Sequence, residues 1–340
     1  MTISILSVET NTLKKPGSNM ISRWLRCIQL STLLGQGMNK ILMNSHDIQI
    51  HFSLVMGTVG RTEEITQFLS SLAQQSYKNF ELIIVDQNLD DRLVPAIQRF
   101  AKLFRIIHLA SQKGLSRARN IGLKEVTGNV IAFPDDDCLY LPDTLLMVAT
   151  ELAQNPMLDG ITGRFTDLNG NSEGRWLSYN QTLTRYTVWR GAISFSIFLR
   201  KSLTDKVGLF NELLGVGAGT PWGAGEETEY LLRALQLNAN LKFRYDLVLR
   251  HPLKAKNYDI EARERQARYE TGFGSVIRQS KYPIWYFAWT CARTFAGCGI
   301  ALARLRSDQA HFKWISVKAR LNGYINPAFN IIPDNIKDKK

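Results

Sequence analysis

From His51 onward, short apolar runs alternate with segments whose apolar residues recur at helical spacing. Phe52 to Thr58 is an apolar run of strand length, and Ile65, Phe68, Leu69 and Leu72 behind it mark one face of a helix. Phe80 to Val85 reads as a second strand that stops at Asp86. A helix over 92–103 leads to a third strand at 105–109. A helix over 115–126 leads to a fourth, Val130 to Phe133, ended by Pro134. Strands joined by helices of this length predict right-handed crossovers and a mostly parallel sheet flanked by helices. Three strands run into Gly57-Thr58-Val59-Gly60, Asp86-Gln87-Asn88 and Lys113-Gly114, tips that open on one edge. That edge is where open α/β sheets bind their ligands.

Beyond Pro142 the pattern predicts a helix over 143–154, a strand near 160–165 and another over 189–199. The segment 215–225 is almost pure loop, rich in glycine, with little to hold it rigid in isolation. It runs into an amphipathic helix through Leu231, Leu232 and Leu235, and a last strand at 247–249 precedes His251.

The formal net charge of +12 becomes informative once it is located. Residues 51–253 hold 21 basic and 21 acidic side chains, whereas 1–50 carry +3 and 254–340 carry +9. Three regions follow: an N-terminal extension (1–50), a neutral α/β domain (51–253) and a basic helical C-terminal region (254–340). A polybasic flank suits anionic lipid or polyphosphate. Nucleic acid is not expected, because no aromatic-rich binding motif or reading helix accompanies the charge. In the extension, Ile21, Trp24, Leu25 and Ile28 beside Arg23 and Arg26 fit a short surface-lying helix or a disordered lead-in, without a signal-peptide pattern. Four scattered cysteines with no metal-type spacing point to a reducing compartment without a disulfide framework. Together these features predict a cytoplasmic protein, peripheral at the inner face of the plasma membrane.

Asp135-Asp136-Asp137 directly follows the fourth strand. Three carboxylates at the end of a core strand repel one another by about a kcal/mol or more per close pair. A cation would offset that cost, and Mg²⁺ or Mn²⁺ prefers such hard oxygen ligands. Glu226 and Glu227 open the helix after the glycine loop, where the helix dipole alone favours acids. A glycine loop that delivers two acids also resembles an active-site lid. Two chemical readings remain open on these residues. One is a metal held on a diphosphate with a separate carboxylate as base. The other is a nucleotide-binding regulatory α/β protein without chemistry, which has no need of the second acidic pair. A lone histidine such as His251 is more often structural than a ligand.

Six motifs in order nevertheless resemble glycosyltransferase family 2, of the GT-A fold, over about Phe52 to Pro252. They are Thr58-Val59-Gly60-Arg61, the strand ending in Asp86, Gly114-Leu115-Ser116-Arg117-Ala118-Arg119-Asn120-Ile121-Gly122, Asp135-Asp136-Asp137, Glu226-Glu227 and His251. The resemblance implies a metal-dependent, inverting transfer of one sugar from a nucleotide-diphosphate sugar, UDP-sugars favoured. It implies a glycan or lipid-linked acceptor, in envelope polysaccharide or glycolipid assembly. Asp86 would bind the base with Thr58 and Arg61 nearby, and Arg119, Asp135 and Asp136 would belong to the donor site, Asp135 facing the ribose. Asp137 and His251 would hold Mg²⁺ or Mn²⁺. Glu227, at the position of the family's aspartate, would be the base, and Glu226 would position the acceptor or support the base. The Gln-x-x-Arg-Trp motif of processive synthases is absent, the nearest stretch being Gln266-Ala267-Arg268-Tyr269.

The C-terminal region contains Ile284 to Ala303, a helix-compatible stretch about as long as the roughly 20 apolar residues a bilayer needs. Arg293 lies near its centre, and Thr290, Arg293, Thr294 and Gly297 form one small, polar stripe. That stripe favours a helix lying in the interface or packed on the α/β domain over one crossing the membrane.

Overall fold

The computed structural model describes residues 48–172, 174, 176–253 and 257–329. The expected N-terminal helix lies outside the described residues. From Gln49 onward the described residues form one compact unit. Its sheet has eight strands in the order β3-β2-β1-β4-β7-β5-β8-β6. They are β1 Phe52–Thr58, β2 Phe80–Asp86, β3 Arg105–Ala110, β4 Val130–Ala132, β5 Gly160–Thr166, β6 Gln181–Thr182, β7 Ile197–Arg200 and β8 Leu241–Arg250. β1 pairs in parallel with β2 and β4, and β2 with β3. The register sets Thr58 opposite Asp86, so both end on one carboxyl edge. β7 runs antiparallel between β4 and β5, and β6 antiparallel to β8; the other strands share one direction.

Helices α1 Glu63–Ala73, α2 Val94–Phe100, α3 Leu115–Gly122 and α4 Thr144–Gln154 follow β1 to β4. α1 buries Ile65, Phe68, Leu69 and Leu72 and α4 buries Leu145, Val148, Ala149 and Leu152, whereas α3 buries Ser116, Ala118, Arg119, Asn120 and Gly122. α3 lies so close to β1 that a Cβ at Gly122 would overlap Val55 Cγ1, with Val85 Cγ2 at 3.2 Å. The strand expected over 189–199 is instead a helical turn α5 Val188–Gly191, a 3₁₀ turn Ser194–Ser196, and only then β7. An unbroken apolar run does not distinguish a buried strand from buried turns. Helices α6 Lys201–Val207 and α7 Glu226–Gln236 complete the α/β part.

Three helices follow: α8 Ile260–Gln279, α9 Ile284–Ala303 and α10 Ser307–Ile325. Asp259 caps α8 by accepting from Ala262 N at 2.7 Å. Val276, Ile277, Tyr282 and Phe287 from this region join the same buried core as strand residues Val55, Ile83 and Ile131. Arg320 of α10 ties the three helices together: it pairs with Glu270 and donates to Thr290 O at 2.9 Å and Thr294 Oγ1 at 2.8 Å. Thr290, Thr294 and Gly297 of the polar stripe thus face α10, while Arg293 stands exposed. No described helix is long and apolar enough to cross a membrane.

Because Gly122 has no space for a methyl group, Gly122→Ala should cost about 1–3 kcal/mol through overpacking between α3 and β1. A fall in the denaturant midpoint with an unchanged m value checks this; an unchanged midpoint contradicts it.

Candidate active site

The crevice starts at the carboxyl ends of β1, β2 and β4. Pro134 ends β4, and the three aspartates turn over the edge, each with different company. Asp136 is buried and accepts from Thr58 Oγ1 at 2.7 Å, while Arg61 Nη1 closes on its other oxygen. Arg61 Nη2 also reaches Asp137 at 2.7 Å. His251, just beyond β8, places Nε2 3.1 Å from Asp137 and stacks its ring flat on Phe195, at 5.0 Å. Asp135 accepts from Ser194 Oγ at 3.1 Å and from Arg119 Nη2 at 3.4 Å.

Arg119 comes from α3 and is 1% exposed. Its Nη1 meets Glu226 at 3.0 Å, so one guanidinium spans from the aspartate cluster to the first turn of α7. Glu227 stands beside Glu226. The sequence-predicted residues Thr58, Arg61, Arg119, Asp135, Asp136, Asp137, His251 and Glu226 are therefore brought into one contact network. Asp86 sits apart from it, at the end of β2. It accepts from Asn88 N and Nδ2 at 2.8 Å, and His108 Nε2 lies 3.0 Å from its other oxygen.

The glycine loop is more constrained than its composition predicts. Leu115 N donates to Val216 O at 2.9 Å, Gly215 N to Trp222 O at 3.0 Å and Gly223 N to Arg268 O at 3.1 Å. Trp222 Nε1 donates to Asn326 O at 2.9 Å. Gly215 has a positive φ of 101°, and a Cβ there would stand 3.1 Å from Glu226 Oε2. Glycine here supplies both the left-handed conformation and room for the acid. Contacts from elsewhere in the fold do what local composition could not.

The charges differ in environment. Burial raises the Asp135 carboxyl to about 6 against the pull of Arg119. Burial likewise pushes Asp137 up, but the His251 hydrogen bond and charge, with Arg61, bring it below the ordinary range. Burial lowers His251, and its bond to Asp137 more than reverses this, so the imidazole holds its proton more firmly than usual. Glu227 is pushed up to about 8, by burial first and by the neighbouring Glu226 second, although part of its surface is exposed. Arg119 reaches Glu227 only at longer range, since Glu226 and Asp135 hold its nitrogens.

Asp135, Asp137 and His251 can bring one ligand atom each to within 4.8 Å of one another. Two carboxylates and an imidazole are a donor set that fits Mn²⁺ or Mg²⁺. Sequence reasoning missed Ser194, His108 and Tyr269. Tyr269 on α8 lies near enough to Glu226, Glu227 and Asp135 for their charge to hold its phenol proton, behind the larger effect of burial. Ser194 and His108 stand in no motif, and Tyr269 only in the stretch nearest to Gln-x-x-Arg-Trp; the packing of α8, β3 and the 3₁₀ turn brings them here.

An open sheet with this order and an acidic crevice at its carboxyl edge is the GT-A class of fold. The mannosyltransferase of Pyrobaculum calidifontis, solved with GDP-Man and Mn²⁺, superposes with a TM-score of 0.56 at 14% identity, over 86% of this chain and 93% of that one. Residues 53–208 match the model of glycosyl transferase family 2. An uncharacterized glycosyltransferase of Haemophilus influenzae is 31% identical over 32% of this chain and 37% of its own length. The UDP-Glc:alpha-D-GlcNAc-diphosphoundecaprenol beta-1,3-glucosyltransferase WfgD of Escherichia coli is 27% identical over 35% of this chain and 47% of its own. The matched region spans less than half the length of either relative.

The raised Glu227 pKa has a stability consequence. Its folded value of about 8 exceeds the ordinary 4.5, so the folded state binds this proton more tightly and stability falls as pH rises between them. Asp135 acts with the same sign but is spent above about 6. Between pH 6 and 8 in chelator, Glu227→Gln should therefore show a flatter decline of the denaturant midpoint than the parent chain. Parallel pH curves contradict the assignment.

Proposed function

We propose that this protein transfers a single sugar from a nucleotide-diphosphate sugar to a hydroxyl of a glycan or lipid-linked acceptor, with inversion, in envelope polysaccharide or glycolipid assembly. One observation carries this reading: a Mn²⁺-compatible cluster of Asp135, Asp137 and His251 is joined through Arg119 to the first turn of α7, where Glu226 and Glu227 stand side by side. The names of the Escherichia coli relative and of the archaeal mannosyltransferase support a nucleotide-sugar donor, and the former favours UDP.

In this reading Asp86 accepts from the base, with Thr58 and Arg61 beside the donor and Asp135 facing the ribose. Mg²⁺ or Mn²⁺ on Asp137 and His251 would neutralise charge on the departing diphosphate. Glu226, fixed by Arg119, positions the acceptor. The Glu227 carboxylate takes the acceptor hydroxyl proton as that oxygen attacks the anomeric carbon. The bond from that carbon to the diphosphate breaks, and the nucleoside diphosphate leaves with its electrons. Attack from the face opposite the leaving group inverts the configuration. A base with a pKa near the working pH suits this task.

UDP with Mn²⁺ should raise the melting temperature more than GDP with Mn²⁺, and Asp137→Ala should abolish the shift. Glu227→Gln should keep the shift and lose roughly 10²–10⁴-fold in transfer rate. A variant that melts higher with UDP without Mn²⁺ overturns the metal assignment, and full transfer by Glu227→Gln overturns the base.

A further inference from the structure

The C-terminal helices leave one surface that the proposed chemistry does not use. Helix α9 buries Phe287, Thr290, Cys298 and Ala301. On its other side Ile284, Trp285, Trp289, Phe295, Ile300 and Leu302 are each 52–64% exposed. Only alanines, a glycine and Arg293 stand between them. At about 100° per residue these positions cover half the circumference of the helix over its whole length. Phe295 meets the half-exposed Trp314 edge-on at 6.2 Å, which carries the surface onto α10. A contiguous apolar face of this kind on a soluble fold marks an interaction site.

The charge around the face indicates what covers it. From Thr271 to Ser307 the chain has five basic residues and no acidic one. Arg278, Lys281, Arg304 and Arg306 stand exposed at the two ends of α9. Arg293 borders the face with its guanidinium 5.0 Å over the Trp289 ring. An apolar stripe with tryptophans, rimmed by cations, matches the acyl–headgroup boundary of an anionic bilayer. A second copy of this chain would set the basic rims against each other. Nucleic acid would engage the rim and leave the tryptophans uncovered. Spanning is ruled out by the packing, because Arg320 holds the backbone and Thr294 side chain of the opposite face.

We infer that the exposed face of α9 seats this protein in the plane of an anionic phospholipid membrane surface. The seating is independent of sugar transfer, and its test reads no activity. The full chain is floated with vesicles of phosphatidylcholine alone and of phosphatidylcholine with phosphatidylglycerol, while tryptophan emission is recorded. Binding to the anionic vesicles with a blue shift is expected, weakening as salt rises. Trp285→Ser with Trp289→Ser should lower partitioning roughly tenfold or more with an unchanged melting temperature. Since Trp285 also stacks on Tyr186, Ile300→Glu, at a position 55% exposed, serves as a second variant. Absence of flotation overturns the inference, as does flotation unaffected by either variant. A dimer in free solution that Ile300→Glu dissolves would assign the face to a second copy instead.

Discussion

Arg119 lies in the interior of the protein between two acids, Asp135 at the end of β4 and Glu226 at the start of α7. Its guanidinium also faces the rings of Phe133 and Phe210 at 5.9 and 5.4 Å. A charge this deep is tolerated only when paired and hydrogen-bonded, and removing one partner of such a pair typically costs about 3–5 kcal/mol. The aspartate cluster and the start of α7 are therefore one electrostatic unit. The same pairing leaves the two adjacent glutamates in different company: Arg119 sits on Glu226, and Glu227 stands beside it in a partly buried position.

The rest of the edge obeys the same constraint. Arg61 spans Asp136 and Asp137, and His251 takes the remaining oxygen of Asp137. The backbone makes room for these pairs. Gly215 lets the loop pass beside Glu226, and Gly122 lets α3 approach β1 closely enough to bring Arg119 over the strand ends. The glycine-rich segment is thus a moulded wall held by Leu115, Arg268 and Asn326. Tight side-chain packing and backbone conformation place the charges; the charges then define the chemistry.

Much of this was legible from residues alone. Strands ending at Asp86 and Pro134 were readable because an apolar run followed by a polar residue or proline has few alternatives. Pro283 and Arg304 frame α9 as the pattern indicated. The antiparallel course of β7 was not readable, because strand direction depends on tertiary pairing. Neither was the turn of helix at Val188–Gly191, whose apolar residues face a core that strand residues could equally face. Ser194 and His108 became site residues only through distant contacts with Asp135 and Asp86. The polar stripe of α9 pointed to packing, but its partner Arg320 lies 26 residues beyond Thr294.

The central claim is that Glu227 directs attack on a donor held at the aspartate cluster, from the face opposite the diphosphate. Proton NMR of the first sugar released from α-configured UDP-sugars by slow hydrolysis with Mn²⁺ tests it without knowledge of the acceptor. The account predicts the β anomer first, before mutarotation, and its loss in Glu227→Gln. Release of the α anomer, or no release from any such donor, contradicts it.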